Sequence, residues 1–109
     1  MDFLTIDRDD GGVYPVTVND SDTGSPADLS VMDLLGAIEW AGGSLSMTIA
    51  NSRLAENADT PLSGGLVDLV FTRTDARSLP TGKTLWLTMQ DMTPGAEETI
   101  IPRLPVRII

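Results

Sequence analysis

The sequence contains no cysteine and no histidine, and it has one lysine, Lys83, and one tyrosine, Tyr14. The absence of cysteine excludes disulfides and thiolate nucleophiles, and the absence of both residues removes the usual zinc ligands. Histidine is also the commonest general base at neutral pH, and a serine triad would lack that base. We therefore expect no enzymatic activity and no cofactor. We assign no metal ligands, and any metal would have to be bound by oxygen ligands alone.

Long hydrophobic runs and excess positive charge are absent as well. The apolar runs are too short to span a bilayer, and we expect no signal peptide and a mature chain that begins at Met1. The chain has 7 basic and 16 acidic residues, a formal charge of −9. Nucleic-acid binding depends on Lys and Arg contacts to phosphates, so we expect neither nucleic acid nor a membrane as a partner. The acidic surface suits a basic protein partner, and it equally suits a chain that is merely soluble.

The most frequent pattern that is present is alternation of apolar and polar side chains with a period of two, which is typical of strands with one buried face. Turn-forming Gly, Pro, Asp and Asn separate the alternating segments. The segments are 3–6, 14–18, 36–40, 44–50, 66–72, 84–90, 98–101 and 104–109.

These segments predict an all-β fold, an antiparallel β-sandwich that is immunoglobulin-like or jelly-roll-like, with one or two short helical turns. A chain of this length has room for one core, so residues 1–109 are predicted to form a single domain. Residues 1–12 would be an N-terminal arm or an edge strand.

Two segments are candidates for the helical turns. "TDARSLP", residues 74–80, offers Thr74 or Asp75 as a cap and Pro80 as a stop. "SRLAENA", residues 52–58, has a helical composition but only marginal length.

Three prolines lie in or beside predicted strands, namely Pro15, Pro102 and Pro105. Proline cannot donate a hydrogen bond to a neighbouring strand, so we expect these strands at sheet edges or with that side facing solvent. Open edges need covering, and oligomerisation is one way to cover them.

The stretch "LPTGKTLW", residues 79–86, resembles the end of a phosphate-binding loop. Such a loop needs a glycine five positions before the Gly-Lys pair and a helix after the threonine. Here Arg77 stands in the glycine position, and an alternating segment follows Thr84. We therefore interpret Gly82 as a turn residue and Lys83 as the start of a strand.

Two acidic loops, "DRDDGG" (7–12) and "NDSDTG" (19–24), have the oxygen ligands of a calcium loop. A calcium loop also needs a glutamate at its twelfth position, where these loops place Val18 and Ser30. We expect acidic turns that cap backbone amides. A calcium site built from residues distant in sequence stays open.

Aromatic residues are the candidates for contact with a partner. Trp86 lies on the threonine side of its segment, opposite Leu85 and Leu87, so it either packs under a loop or anchors a partner. Tyr14 is the second candidate for partner contact. Trp40 shares a side with the apolar residues of its own segment, and we expect it in the core.

Several of these pieces together resemble a small β-sandwich domain of tailed-phage structural proteins, the type at the start of baseplate upper proteins and related tail or neck components. The likeness covers residues 13–109 and rests on turn and core motifs. The matching pieces are "DLLGAIEW" (33–40), "GLVDLVFTRTDARSLPTGK" (65–83), "LWLTM" (85–89), "TPGAEETI" (93–100) and "LPVRI" (104–108). The resemblance implies no catalytic residue and a module repeated around a ring or attached to a fibre.

The function predicted from this resemblance is that of a virion structural protein in the tail, baseplate or neck, made in the host cytoplasm. Its partners would be other virion proteins and further copies of itself. One alternative is a capsid decoration protein. Another is a calcium- or carbohydrate-binding adhesion module that uses Trp86 and the acidic loops.

Overall fold

The structure, a computed structural model, describes residues 3–20 and 22–109. Within these ranges the chain forms eight strands, one short α-helix and two 3-10 turns. The strands are β1 (Leu4–Ile6), β2 (Gly12–Thr17), β3 (Leu34–Trp40), β4 (Gly43–Met47), β5 (Leu54–Glu56), β6 (Leu66–Phe71), β7 (Leu85–Asp91) and β8 (Glu98–Ile108). The α-helix, α1, spans Arg73–Ser78, and the 3-10 turns span Leu29–Val31 and Leu62–Gly64.

The strands form two sheets. Five strands pair in the order β1-β8-β7-β3-β4, and three pair in the order β2-β6-β5. All pairs are antiparallel except β1 with β8, which is parallel. Because 49% of the chain is strand and 11% is helical, the predicted all-β sandwich with short helical turns is confirmed.

One hydrophobic core lies between the two sheets. Alternate residues of β3, β6 and β7 point into it, as the period of two predicted. Its largest fully buried side chains are Ile6, Leu29, Ile38, Met47, Leu54, Val67, Leu69, Leu79, Leu87 and Met89. Trp40 is partly buried and packs against this core. Each fully buried Leu or Ile stabilises the fold by about 1.5–3 kcal/mol relative to an exposed side chain.

The helical turn predicted at 74–80 is α1, which connects the three-stranded sheet to the five-stranded sheet. Its cap is Thr72 rather than Thr74 or Asp75. The Thr72 hydroxyl accepts from the Asp75 amide at 3.0 Å, and the Asp75 carboxylate accepts from the Thr72 amide at 3.1 Å. This is a capping box, which satisfies two backbone donors at the start of the helix.

The helix considered at 52–58 is wrong, since the segment contains strand β5. Leu54 is 1% exposed and pairs with Leu69 of β6. A helix of seven residues would be marginal by itself. Burial of Leu54 and pairing with β6 therefore decide the local conformation.

Strand β8 joins the two segments predicted at 98–101 and 104–109. Leu87 of β7 pairs with Leu104, whereas Met89 pairs with Ile101, so β8 carries an extra residue where Pro102 lies. Such a bulge tolerates a residue that cannot donate to the ladder. Among the described strands, β1 pairs only with the last part of β8, 106–108. Both prolines of β8 thus lie where its other side has no described partner.

Strands β2 and β1 are edge strands as well. Pro15 lies in β2, an edge strand of the three-stranded sheet. Strand β1 is an edge strand of the five-stranded sheet. It covers only Leu4–Ile6, and Met1 and Asp2 lie outside the described residues, so the role of residues 1–12 as an N-terminal arm or an edge strand stays a prediction. In the part of the chain that the structure describes, no helix has the length and apolar character needed to cross a membrane.

Candidate functional site

The stretch that resembles a phosphate loop forms a turn and the start of β7. Leu79 is 1% exposed and anchors the turn in the core. Gly82 has a φ of 74°, a left-handed conformation that glycine adopts without strain. The Lys83 ammonium donates to the carbonyl of Ala41 at 3.2 Å. A strand rather than a helix follows, and the predicted turn at Gly82 is present. The strand begins at Leu85, however, so Lys83 belongs to the turn and not, as predicted, to the start of the strand.

The two acidic loops are turns closed by their own carboxylates. The Asp7 carboxylate accepts from the amides of Asp9 and Asp10 at 2.9 and 3.3 Å. The Asp20 carboxylate accepts from the Asp22 amide at 2.8 Å. These are Asx-type turns, as predicted. Among residues 3–20 and 22–109, no group of three or more acidic side chains is arranged to hold a metal.

Trp86 lies on the outer side of the five-stranded sheet, away from the core. It is partly exposed, and it pairs across the sheet with Glu39 on one side and Pro105 on the other. The Arg103 guanidinium stacks on its ring, 4.8 Å from the centroid. A cation over the face of an indole is attracted by the ring quadrupole, so this pair forms a preorganised platform of planar groups.

A second stacked pair lies at the edge of the same sheet. The Arg107 guanidinium lies 4.5 Å from the ring centroid of Phe3, which is 43% exposed. Arg107 is two residues beyond Pro105 on β8, and residues two apart share a side of a strand. Both stacked pairs therefore face the same direction.

Lys83 lies between the two pairs and lines the groove beside each of them. One groove, of about 440 Å³, also contacts Phe3 and Arg107. The other, of about 550 Å³, also contacts Trp86 and Arg103. We call these five residues the cation–aromatic face.

The charge of this face differs from that of the rest of the surface. Within the described ranges, its three cations have no salt-bridge partner. The other four arginines are occupied elsewhere: Arg53 pairs with Asp75 at 2.8 Å, Arg73 with Asp10 at 3.7 Å, Arg77 with Asp9 at 3.9 Å, and Arg8 donates to the Arg77 carbonyl at 3.4 Å. Arg8, which contacts only a backbone carbonyl, likewise has no carboxylate partner among the described residues. In a protein of charge −9, three of the four described cations without a salt bridge thus lie on one side of one sheet.

The opposite end of β8 is acidic. Asp20, Asp22 and Glu98 line one small cavity of about 140 Å³, and Glu97 lines the neighbouring groove together with Glu98 and Asp91. Exposed Asp33 lies beside them, since its amide donates to Asp91 at 3.1 Å. We call Asp20, Asp22, Asp33, Glu97 and Glu98 the acidic end. None of them forms a salt bridge with a described residue.

Asp91 holds the loops of the acidic end together. Its carboxylate accepts from the Thr93 hydroxyl at 2.6 Å, from the Thr93 amide at 3.0 Å and from the Asp33 amide. The hydrogen bonds from Thr93, followed by the one from Asp33, lower the pKa of Asp91 below its ordinary value. Asp91 is therefore charged at neutral pH and adds to the negative charge of this end.

Tyr14 has a different environment from Trp86. It lies on β2 in the other sheet, and its ring is 5.9 Å from that of Phe71. Its hydroxyl accepts from the Asp7 amide at 2.9 Å and donates to the Gly11 carbonyl at 2.8 Å. The structure therefore does not bring the two candidate contact residues together, and it gives Tyr14 a role in holding the loop before β2. Partner contact by Tyr14 stays a prediction.

Phe3, Arg103 and Arg107 were not among the residues predicted to contact a partner. A signal was present for the two arginines, because positions four apart on one strand share a side. Their stacking partners, however, come from β7 and from the start of the chain, and only the sheet order makes them neighbours.

No protein-family model, curated protein or solved structure matches this chain. The resemblance to tailed-phage domains therefore stays a prediction, and no residue role is transferred from a relative.

Proposed function

We propose that the chain is a virion structural protein of a tailed phage or phage-like particle, in the tail, baseplate or neck. It acts by packing in several copies against its neighbours and carries out no chemistry. The cation–aromatic face is the observation that carries this proposal. Tryptophan and arginine are the residue types most enriched at the energetic centres of protein interfaces, and here they are held in place before any partner arrives.

Two of the four sheet edges, those of β4 and β2, are protected against added strands, which favours contact through this face. At the β4 edge, the Ser46 carbonyl accepts from Asn51 and Arg53 at 3.1 and 3.2 Å. At the β2 edge, Pro15 provides no amide donor. Proteins protect open edges in such ways against strand-to-strand association. The exposed side of the five-stranded sheet is then the surface through which copies contact their neighbours.

The resemblance from the sequence supports the same proposal. Its longest piece, 65–83, spans β6, α1 and the turn anchored by Leu79. The residues of this motif thus form the sheet, the helix and the turn, and none of them is assigned a catalytic role. This use of the motif is consistent with a structural protein.

Immunogold labelling of particles purified from the source organism tests the proposal. Antibodies against the folded chain should label the tail, baseplate or neck, and mass spectrometry of the same particles should detect the chain at many copies per particle. Labelling of the capsid would favour a decoration protein instead. Particles that carry neither label nor peptide would refute a virion role.

A calcium titration examines the adhesion-module alternative. A ligand that binds only the folded state raises the melting temperature by mass action. Because both acidic loops already cap their own amides, we expect no shift with calcium. A large upward shift would favour the alternative.

A further inference from the structure

We propose that the cation–aromatic face docks onto the acidic end of a second copy of this chain, so that copies associate head to tail. This inference rests on the proposed function and names the partner of the site described above. It follows from the separation of charge within one molecule.

The two surfaces lie toward opposite ends of β8. Glu98 begins the strand and Arg107 is the last residue but one, and nine residues of strand span roughly 30 Å at about 3.3 Å per residue. The longest dimension of the molecule is 37 Å. Arg107 lies near one end of β8, Arg103 near its middle, and Glu97 and Glu98 at the other end. Each copy therefore presents cations toward one end of the strand and carboxylates at the other, and none of these groups has a salt-bridge partner among the described residues.

This separation favours a head-to-tail contact over a symmetric one. Two cation–aromatic faces, or two acidic ends, would place like charges opposite each other, which opposes association. A face against an acidic end places opposite charges together. Contacts between two different surfaces of identical chains generate closed rings when the rotation closes, and filaments when it does not.

The occupant is identified by charge. The sequence has a net charge of −9, so most approaches of two copies are repulsive. The exposed cations of this face can reverse the sign locally. Arg103 and Arg107 present planar guanidinium groups, which match carboxylates in a two-point geometry. The acidic end offers such carboxylates on the exposed side chains of Glu97 and Glu98.

The single lysine makes the contact traceable. Lys83 is exposed on the proposed docking face, and a carbodiimide joins an amine to a nearby carboxylate as an amide, with loss of water. An equal mixture of ordinary and ¹⁵N-labelled full-length protein should give isotopically mixed cross-links from Lys83 to peptides that contain Glu97, Glu98, Asp20 or Asp22. Lys83→Arg keeps the charge but removes the amine, and should abolish these cross-links.

Three results of the cross-linking would overturn the inference. They are cross-links confined to one isotope, mixed cross-links that lead from Lys83 to carboxylates elsewhere, such as Asp59, and no cross-links at all. If the chain is nevertheless found in particles, the docking inference fails while the proposed function stands. If mixed cross-links lead to the acidic end but the chain is absent from particles, the docking inference stands while the proposed function fails.

A charge-exchange experiment tests the same contact without a chemical cross-linker. Sedimentation velocity across a concentration series should show self-association of the wild type. The double variants R103E/R107E and E97R/E98R should each sediment as monomers, because each places like charges at the contact. An equal mixture of the two should associate again. Association of either variant alone at wild-type strength, or a mixture that stays monomeric, would refute a head-to-tail contact. Circular dichroism of both variants should match the wild type, since all four residues are exposed.

Discussion

The ion pair between Arg53 and Asp75 connects α1 to the corner between β4 and β5, and its removal should destabilise the fold. One Asp75 oxygen accepts from Arg53 at 2.8 Å, and the other accepts from the Thr72 amide at 3.1 Å. Arg53 also donates to the Ser46 carbonyl at 3.2 Å. Asp75→Ala removes both carboxylate contacts together, whereas Asp75→Asn keeps an oxygen that can still accept from Thr72.

The expected magnitude follows from these contacts. Asp75→Ala removes the carboxylate half of the capping box and leaves the Thr72 amide without its acceptor, which costs about 1 kcal/mol of unfolding free energy. The ion pair adds about 1 kcal/mol, which is toward the upper end of the range for pairs near the surface. We use this end of the range because the Asp75 side chain is only 12% exposed, whereas that of Arg53 is 30% exposed. Asp75→Ala should therefore cost about 2 kcal/mol, and a domain of this size loses about 4 °C of melting temperature per kcal/mol. We expect a decrease of about 8 °C for Asp75→Ala and about half of that for Asp75→Asn.

A double-mutant cycle isolates the ion pair. Urea unfolding of the wild type, Arg53→Met, Asp75→Asn and the double variant should give a coupling free energy of about 1 kcal/mol. The contact between Arg53 and the Ser46 carbonyl is lost both in Arg53→Met and in the double variant, so its free energy cancels in the coupling term. A coupling free energy near zero would show that Asp75 acts through the helix cap alone and would refute the assignment of this pair.

The pH dependence has a definite sign. The hydrogen bond from Arg53 is the largest effect on Asp75 and lowers the pKa of its carboxyl in the folded state. Its stabilising contribution is therefore present above the unfolded carboxyl pKa of about 4 and is lost as pH falls through the lower folded pKa. The difference in urea midpoint between the wild type and Asp75→Asn should be full at pH 7 and should shrink below about pH 4. A difference that grows on acidification would contradict this reasoning.

Three further predictions concern the turns and the core, and thermal unfolding measures all of them. Gly11 and Gly24 have φ angles of 69° and 71°, but a methyl group would lie 2.3 Å from the Phe71 carbonyl at Gly11 and would meet nothing within 4 Å at Gly24. Gly11→Ala should thus lower the free energy of unfolding by several kcal/mol and Gly24→Ala by about 1 kcal/mol. Equal effects would mean that only the backbone conformation matters and would refute the steric contribution at Gly11. Leu79→Ala should cost about 2–5 kcal/mol, and a cost below 1 kcal/mol would remove Leu79 as the anchor of its turn. Tyr14→Phe should cost about 1–2 kcal/mol, because it leaves a backbone amide without its acceptor, and an unchanged melting temperature would refute that role.

Much of the strand content could be predicted because each strand buries one side. Leu85, Leu87 and Met89 alternate with polar residues, and the structure buries these three side chains. The turn at Gly82 was predictable for a related reason, since glycine next to proline and threonine favours a turn whatever surrounds it. These are local properties of the chain.

The errors concern segments where distant contacts prevail over local preference. Residues 52–58 have helix-forming side chains, yet Leu54 pairs with Leu69 of β6 and is buried there. The cap of α1 is Thr72, two residues before Thr74 and three before Asp75, because β6 ends at Phe71 and the helix begins at Arg73. The parallel pairing of β1 with β8 brings together residues about one hundred positions apart, a contact that no local pattern encodes.

The class of the fold, the acidic character of the chain and its lack of thiol and imidazole side chains follow from the sequence alone, because composition and a period of two are local properties. Which charges remain without a salt-bridge partner among the described residues depends on the tertiary structure. Arg53, Arg73 and Arg77 are neutralised by carboxylates that lie 22 to 68 residues away in sequence, whereas the cations of β8 and Lys83 face solvent beside two aromatic rings. The order of the strands in the sheet places these groups on one surface, and strand order depends on packing between segments that are distant in the chain.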